Sequence, residues 1–61
     1  MTLHNQRLVD LPGTLTHETD AAYLFRVGHT KVWLPKSQCQ WDQPEQVMTM
    51  PEWLALEKGF I

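Results

Sequence analysis

An α+β fold is predicted for this chain: a small, curled antiparallel sheet, an SH3-like or OB-like half-barrel, with one C-terminal helix. Three observations predict it. Residues 22–27 alternate, with Tyr23, Phe25 and Val27 forming one apolar face. Gly28-His29 follows at once, a two-residue hairpin loop in which glycine opens a type II′ turn without steric cost. Residues 51–59 carry both helix start and helix stop signals. The hairpin bears bulk on both faces, with Trp33 between Val32 and Leu34. A flat sheet with one wet face does not need this, whereas a curled sheet plugged by a helix does.

The elements follow in order. Residues 1–13 are the least patterned part, although Leu8-Val9-Asp10-Leu11 has the composition of a short strand and Pro12-Gly13 is a turn signal. Residues 14–19, rich in threonine, predict a strand, and Asp20-Ala21 a tight turn. The hairpin of residues 22–34 comes next and ends at Pro35, which lacks the N–H of a ladder residue. Lys36-Ser37-Gln38 reads as a bend with Ser37 as its cap. Cys39-Gln40-Trp41 reads as a further short strand, residues 42–46 as a polar loop and residues 47–50 as a last strand.

The helix signals are dense. Thr49-Met50-Pro51-Glu52 has the spacing of a capping box, and Pro51 suits a first helical turn. Trp53 and Leu56 are three apart and predict an apolar face, with Leu54 beside them. Lys58 complements the helix dipole, Gly59 is the expected C-cap, and Phe60 and Ile61 are expected to fold back on it. The sheet is thus expected over residues 14–50 and the helix over 51–59, in one domain spanning 1–61.

Size bounds the function. A chain of 61 residues buries only ~60% of the surface its unfolded form exposes. A core and a deep substrate pocket compete for the same few residues, which argues against an enzyme. Hydrophobic residues make up 43% and charged residues 20%, the balance of a folded protein rather than a disordered one. Cys39 is the single cysteine, so no internal disulfide forms, and a reducing compartment, the cytoplasm, is expected. No apolar run reaches a membrane span, and the N-terminus has no signal-peptide core. A net charge of −2 falls short of the basic excess of a typical nucleic-acid binder.

Two segments resemble a recurrent group of small proteins from phages, prophages and bacterial genomes. They are Val32-Trp33-Leu34-Pro35-Lys36-Ser37-Gln38 and Met50-Pro51-Glu52-Trp53-Leu54-Ala55-Leu56-Glu57-Lys58-Gly59, with Glu18-Thr19-Asp20 as a shared turn. The resemblance covers about residues 15–61. It implies a phage-type accessory protein, working in the host cytoplasm when phage-encoded. Such proteins commonly bind and block a host machine, anti-CRISPR proteins among them.

No catalytic constellation is legible. His4, His17, His29 and Cys39 lack zinc-ligand spacing, and Lys36-Ser37 lacks the glycines of a nucleophile elbow or phosphate loop. No metal or cofactor is called for. Trp33 and Trp53 are expected in the core. Trp41 opens a polar loop between Gln40 and Asp42, and two readings stand: an interface anchor supported by Gln40, Asp42 and Glu45, or a ring buried under the loop. The leading expectation is therefore a non-catalytic protein-binding module, an inhibitor of a host defence complex, with partner contacts at Trp41, Asp42, Glu45 and Gln40. The alternative is a nucleic-acid-binding accessory domain using Arg26, Lys31, Lys36 and Tyr23. Oligomeric state is left open.

Overall fold

A computed structural model describes residues 7–61. Its elements are β1 (Leu8–Pro12), β2 (Thr14–Glu18), β3 (Ala22–Val27), β4 (Thr30–Pro35), β5 (Gln40–Asp42), β6 (Val47–Pro51) and α1 (Glu52–Glu57). The fold is α+β and mostly strand. The strands divide into two three-stranded antiparallel sheets rather than one: β1-β6-β5, the first sheet, and β2-β3-β4, the second. The break falls at Gly13 and at the turn after Pro35.

The second sheet follows the predicted hairpin. Phe25 pairs with Val32 and Val27 with Thr30 across the Gly28-His29 turn. Gly28 has φ 60° while His29 keeps a negative φ, which fits type II′, where only the first central residue is left-handed. β2 joins with a shift between Leu15 and His17. The turn into β3 is held by Thr19, whose Oγ1 accepts the N–H of Ala22 at 3.1 Å, and whose own N–H donates to the Ala22 carbonyl at 2.8 Å.

The first sheet extends beyond its expected start, because β1 begins at Leu8 and pairs along β6 from Leu8↔Pro51 to Pro12↔Val47. Burial alternates along β1, with Val9 and Leu11 turned inward. Pro12-Gly13 is no tight turn. The chain passes there from one sheet directly into the other, and the Gly13 N–H donates to the Gln46 carbonyl at 3.2 Å.

One core serves both sheets. Phe25, Leu34, Met48, Met50, Leu54 and Ala55 are buried, with Val9, Leu11, Leu15, Tyr23, Val27, Val32, Cys39, Trp41 and Phe60 packed around them. The helix contributes Leu54 and Ala55. Of its expected apolar face only Leu54 is buried: Trp53 is 50% exposed and Leu56 58%. Trp33, also expected in the core, is 46% exposed. Both tryptophans give way to residues whose position in the pleat or the helix faces inward, Leu34 and Leu54.

The capping box does not form. Thr49 lies within β6, paired on both sides, and its hydroxyl donates to Asp10 Oδ1 at 2.6 Å. Pro51 itself is the N-cap, extended at φ −63° and ψ 144°, with no side-chain cap. The Glu52 N–H is satisfied by the Arg7 carbonyl at 2.7 Å instead. The C-terminus keeps the predicted glycine turn, but the helix ends at Glu57 and Lys58 is its C-cap, so no basic residue lies in the last turn. Gly59, at φ 84°, donates to Leu56 O and Phe60 N–H to Ala55 O, the two bonds of a Schellman motif. Phe60 thereby folds onto the core, while Ile61 stays exposed.

Gly13 is the one position where the absence of a side chain is compulsory. A Cβ there would stand 2.5 Å from the Arg26 carbonyl oxygen and 2.6 Å from Phe25 Cζ. Gly13→Ala is expected to destabilise the fold by about 1–3 kcal/mol through overpacking. Urea unfolding of the two proteins measures this, and an unchanged midpoint would show that the sheet junction is loose.

Candidate functional site

Alternation within β3 and β4 decides what the second sheet shows to solvent. Leu15, Phe25 and Val32 make one inward row, and Glu18, Tyr23 and Leu34 are in register two residues along. The intervening rows face out: Thr14–Arg26–Lys31, then His17–Leu24–Trp33, then Ala22–Pro35. Trp33 projects from this face, and the His17 ring meets it edge-on at 6.2 Å.

The charge pattern of this face is unusual. Arg26 and Lys31 are direct cross-strand partners. Like charges so placed repel and weaken the pairing. No carboxylate belongs to any of the outward rows. Among the described residues, the salt bridges are Arg7–Glu52 and Lys36–Glu18, and neither relieves this pair. The fold thus keeps two cations without a salt-bridge partner, side by side, near an exposed indole.

The nucleic-acid set read from the sequence is split by this geometry. Arg26 and Lys31 lie together on the outer face. Tyr23 sits in the row of the core, with Lys36 Nζ 5.1 Å from its ring centre. Lys36 also bonds Glu18 Oε2 at 2.6 Å, which holds its ammonium above the ordinary lysine range. Lys36 is therefore already paired. The sequence reading missed Trp33 and His17 as members of the basic face. The signal was present for Trp33, since it is two residues from Lys31 and so shares its side of the strand.

The expected partner loop belongs to the first sheet. Gln40 and Asp42 point outward from β5, and Trp41 between them lies opposite the buried Met48. Trp41 is partly buried and packs its ring edge against Phe25, 5.8 Å away at 63°. Its Nε1–H donates to Gln43 Oε1 at 2.6 Å. Glu45 is exposed in the following turn, its N–H 3.4 Å from Asp42 Oδ1. Gln40, Trp41, Asp42, Gln43, Pro44 and Thr49 line an open depression of ≈ 380 Å³.

Burial pushes the Cys39 thiol up to about 11, the reverse of an activated cysteine nucleophile. No cluster of three or more His, Cys, Asp or Glu side chains forms a metal set among the described residues, and His4 lies outside them. No helix among them is long and apolar enough to cross a membrane. Compared with known proteins, the chain matches no family model, no curated protein and no solved structure.

The two tryptophans at the sheets are expected to respond unequally to truncation. Trp41→Ala removes packing from Phe25 and lowers stability by about 3 kcal/mol. Trp33→Ala changes it by about 1 kcal/mol or less, as exposed positions do. Thermal melting followed by circular dichroism reads both, and equal losses would mean that Trp33 is a packing residue.

Proposed function

We propose that this chain is a non-catalytic protein-binding module that docks through the outer face of β2-β3-β4. Trp33 is the anchor, flanked by Arg26 and Lys31, with His17 beside the indole. The observation that carries this reading is the unneutralised Arg26–Lys31 pair next to a half-exposed tryptophan. Tryptophan and arginine are the residues that most often dominate binding energy at protein interfaces. The matching partner surface is acidic and offers an apolar recess, so that charge guides encounter and the indole supplies affinity. The architecture we assign is a small SH3-like or OB-like half-barrel, with the helix at one end of the shared core. The resemblance to phage-type accessory proteins supports a biological role as an inhibitor of a host defence complex in the host cytoplasm.

A second reading uses the same face. Single-stranded nucleic acid stacks on exposed aromatic rings flanked by cations. The absence of carboxylates from the outward rows favours it. Against it stand the net charge of −2 and the pairing of Lys36 with Glu18. Two free cations on the face release few counterions, which leaves little electrostatic affinity for a phosphate backbone.

Affinity capture from bacterial host lysate, repeated with variants, separates these readings. A protein held by the parent and by Trp53→Ala, but bound about thirtyfold more weakly by Trp33→Ala, is the expected result, as for a hot-spot residue worth ~2 kcal/mol. Retention of that protein by Trp33→Ala and by Arg26→Glu with Lys31→Glu would overturn the assignment of the face. Tight, steeply salt-dependent binding of single-stranded DNA, abolished by Arg26→Glu with Lys31→Glu, would establish the second reading instead.

A further inference from the structure

The two outer faces of the molecule carry opposite charge. The outward rows of the second sheet hold Arg26, Lys31 and His17 and no acid. The outer face of the first sheet shows Leu8, then Asp10–Thr49–Gln40, then Pro12–Val47–Asp42, with Asp10 and Asp42 and no cation, while Pro51 opposite Leu8 is buried. Glu45 adds a third carboxylate in the turn that follows β5. Both sheets turn their inner faces to one core, so these outer faces point away from each other.

They are complementary in shape as well as in charge. The basic face has a projection, Trp33, 46% exposed. The acidic face has a recess, the ≈ 380 Å³ depression walled by Trp41, Pro44, Gln40, Gln43, Asp42 and Thr49. An indole ring fits such a space. Pro44 offers a surface for the ring, and the side-chain oxygens of Gln40 and Asp42 accept from the indole N–H. Nothing in the wall of the recess repels the cations that flank the indole.

We propose that copies of this chain associate head to tail, the Trp33 face of one seating on the Asp42 recess of the next. The inference rests on the reading of the Trp33 face as a contact surface and names a second copy as one occupant of it. The two surfaces differ and face apart, so the contact is heterologous and grows into an open chain rather than closing as a two-fold dimer. It is also weak. A face of three strands about six residues long measures roughly 14 by 20 Å. Contact between two such faces buries well under the ~1,200 Å² of a stable interface. The association is therefore reversible and salt-sensitive, and an acidic partner that takes the Trp33 face dissolves it.

Sedimentation equilibrium on the full chain, from dilute to concentrated solution at low salt, tests this. The average mass should rise continuously with concentration and return towards the monomer on adding salt. Two variants lose it from opposite sides: Trp33→Ala with Arg26→Gln removes the projection, and Asp42→Lys makes the recess repulsive. Each alone should stay monomeric, with folding checked by circular dichroism. Mixed in equal amounts, they should form a complex of twice the monomer mass that does not grow, because one intact surface remains on each. A parent that stays monomeric throughout overturns the proposal. So does association undiminished in both variants, and a loss on Trp53→Ala would then assign it to the exposed helix face. If the parent is monomeric but a captured host protein still depends on Trp33, the self-association fails and the proposed function stands. If Trp33 matters to neither, both fall.

Discussion

Everything else in this fold depends on where Phe25 can be buried. Its ring is fully enclosed, and it is met from the junction of the two sheets, from the first sheet and from the C-terminus. Trp41 from the first sheet packs edge-on at 5.8 Å, and Phe60 from the C-terminus at 5.6 Å. Gly13, at the junction between the sheets, passes so close that no side chain fits between. A domain this small has few residues with which to exclude water, so one central aromatic ring organises both sheets. The Schellman turn at Gly59 belongs to the same constraint, since it is what returns Phe60 to that ring.

The surface is a consequence of that core. With Phe25 and Leu34 turned in, the strand period of two turns Arg26, Lys31 and Trp33 out. His17 reaches the same face only because of the irregularity in β2. Leu15 pairs with the inward Phe25, and simple alternation would carry His17 inward as well. The register shift between Leu15 and His17 sets it opposite Leu24 instead, beside Trp33. Bulges commonly re-aim a side chain in this way, and this one completes an aromatic and basic face. The first sheet has the reverse outcome: its inward positions take Met48, Met50 and Trp41, and its outward ones leave Asp10 and Asp42.

Local patterns made the hairpin and the helix end legible. Tyr23, Phe25 and Val27 alternate without interruption, Gly28 is where a type II′ turn requires it, and Gly59 ends the helix. What was not legible depended on pairing between distant segments. Leu8-Val9-Asp10-Leu11 has the composition of a short strand and forms one, but nothing local places it in the sheet, which it joins because β6 lies beside it. Thr49 has capping-box spacing to Glu52, but two strand neighbours and a bond to Asp10 hold it in the sheet. The tryptophans mislead by composition, because bulk alone assigns Trp33 and Trp53 to a core that their positions in the strand and the helix deny them. Of the expected site residues, Arg26 and Lys31 are brought together, Tyr23 falls in the core row, and Lys36 is drawn off by an ion pair with Glu18 across 18 residues of sequence.

The central claim is that Trp33 stands exposed in a positive field while Trp41 is withdrawn into the core. Collisional quenching of tryptophan fluorescence by iodide and by caesium tests it most directly, using variants in which two of the three tryptophans are replaced by phenylalanine. The variant retaining Trp33 should be quenched strongly by iodide and weakly by caesium, because Arg26 and Lys31 concentrate anions near the indole and repel cations. The variant retaining Trp41 should resist both quenchers. Equal quenching of Trp33 by the two ions, or stronger quenching of Trp41 than of Trp33, would contradict the account.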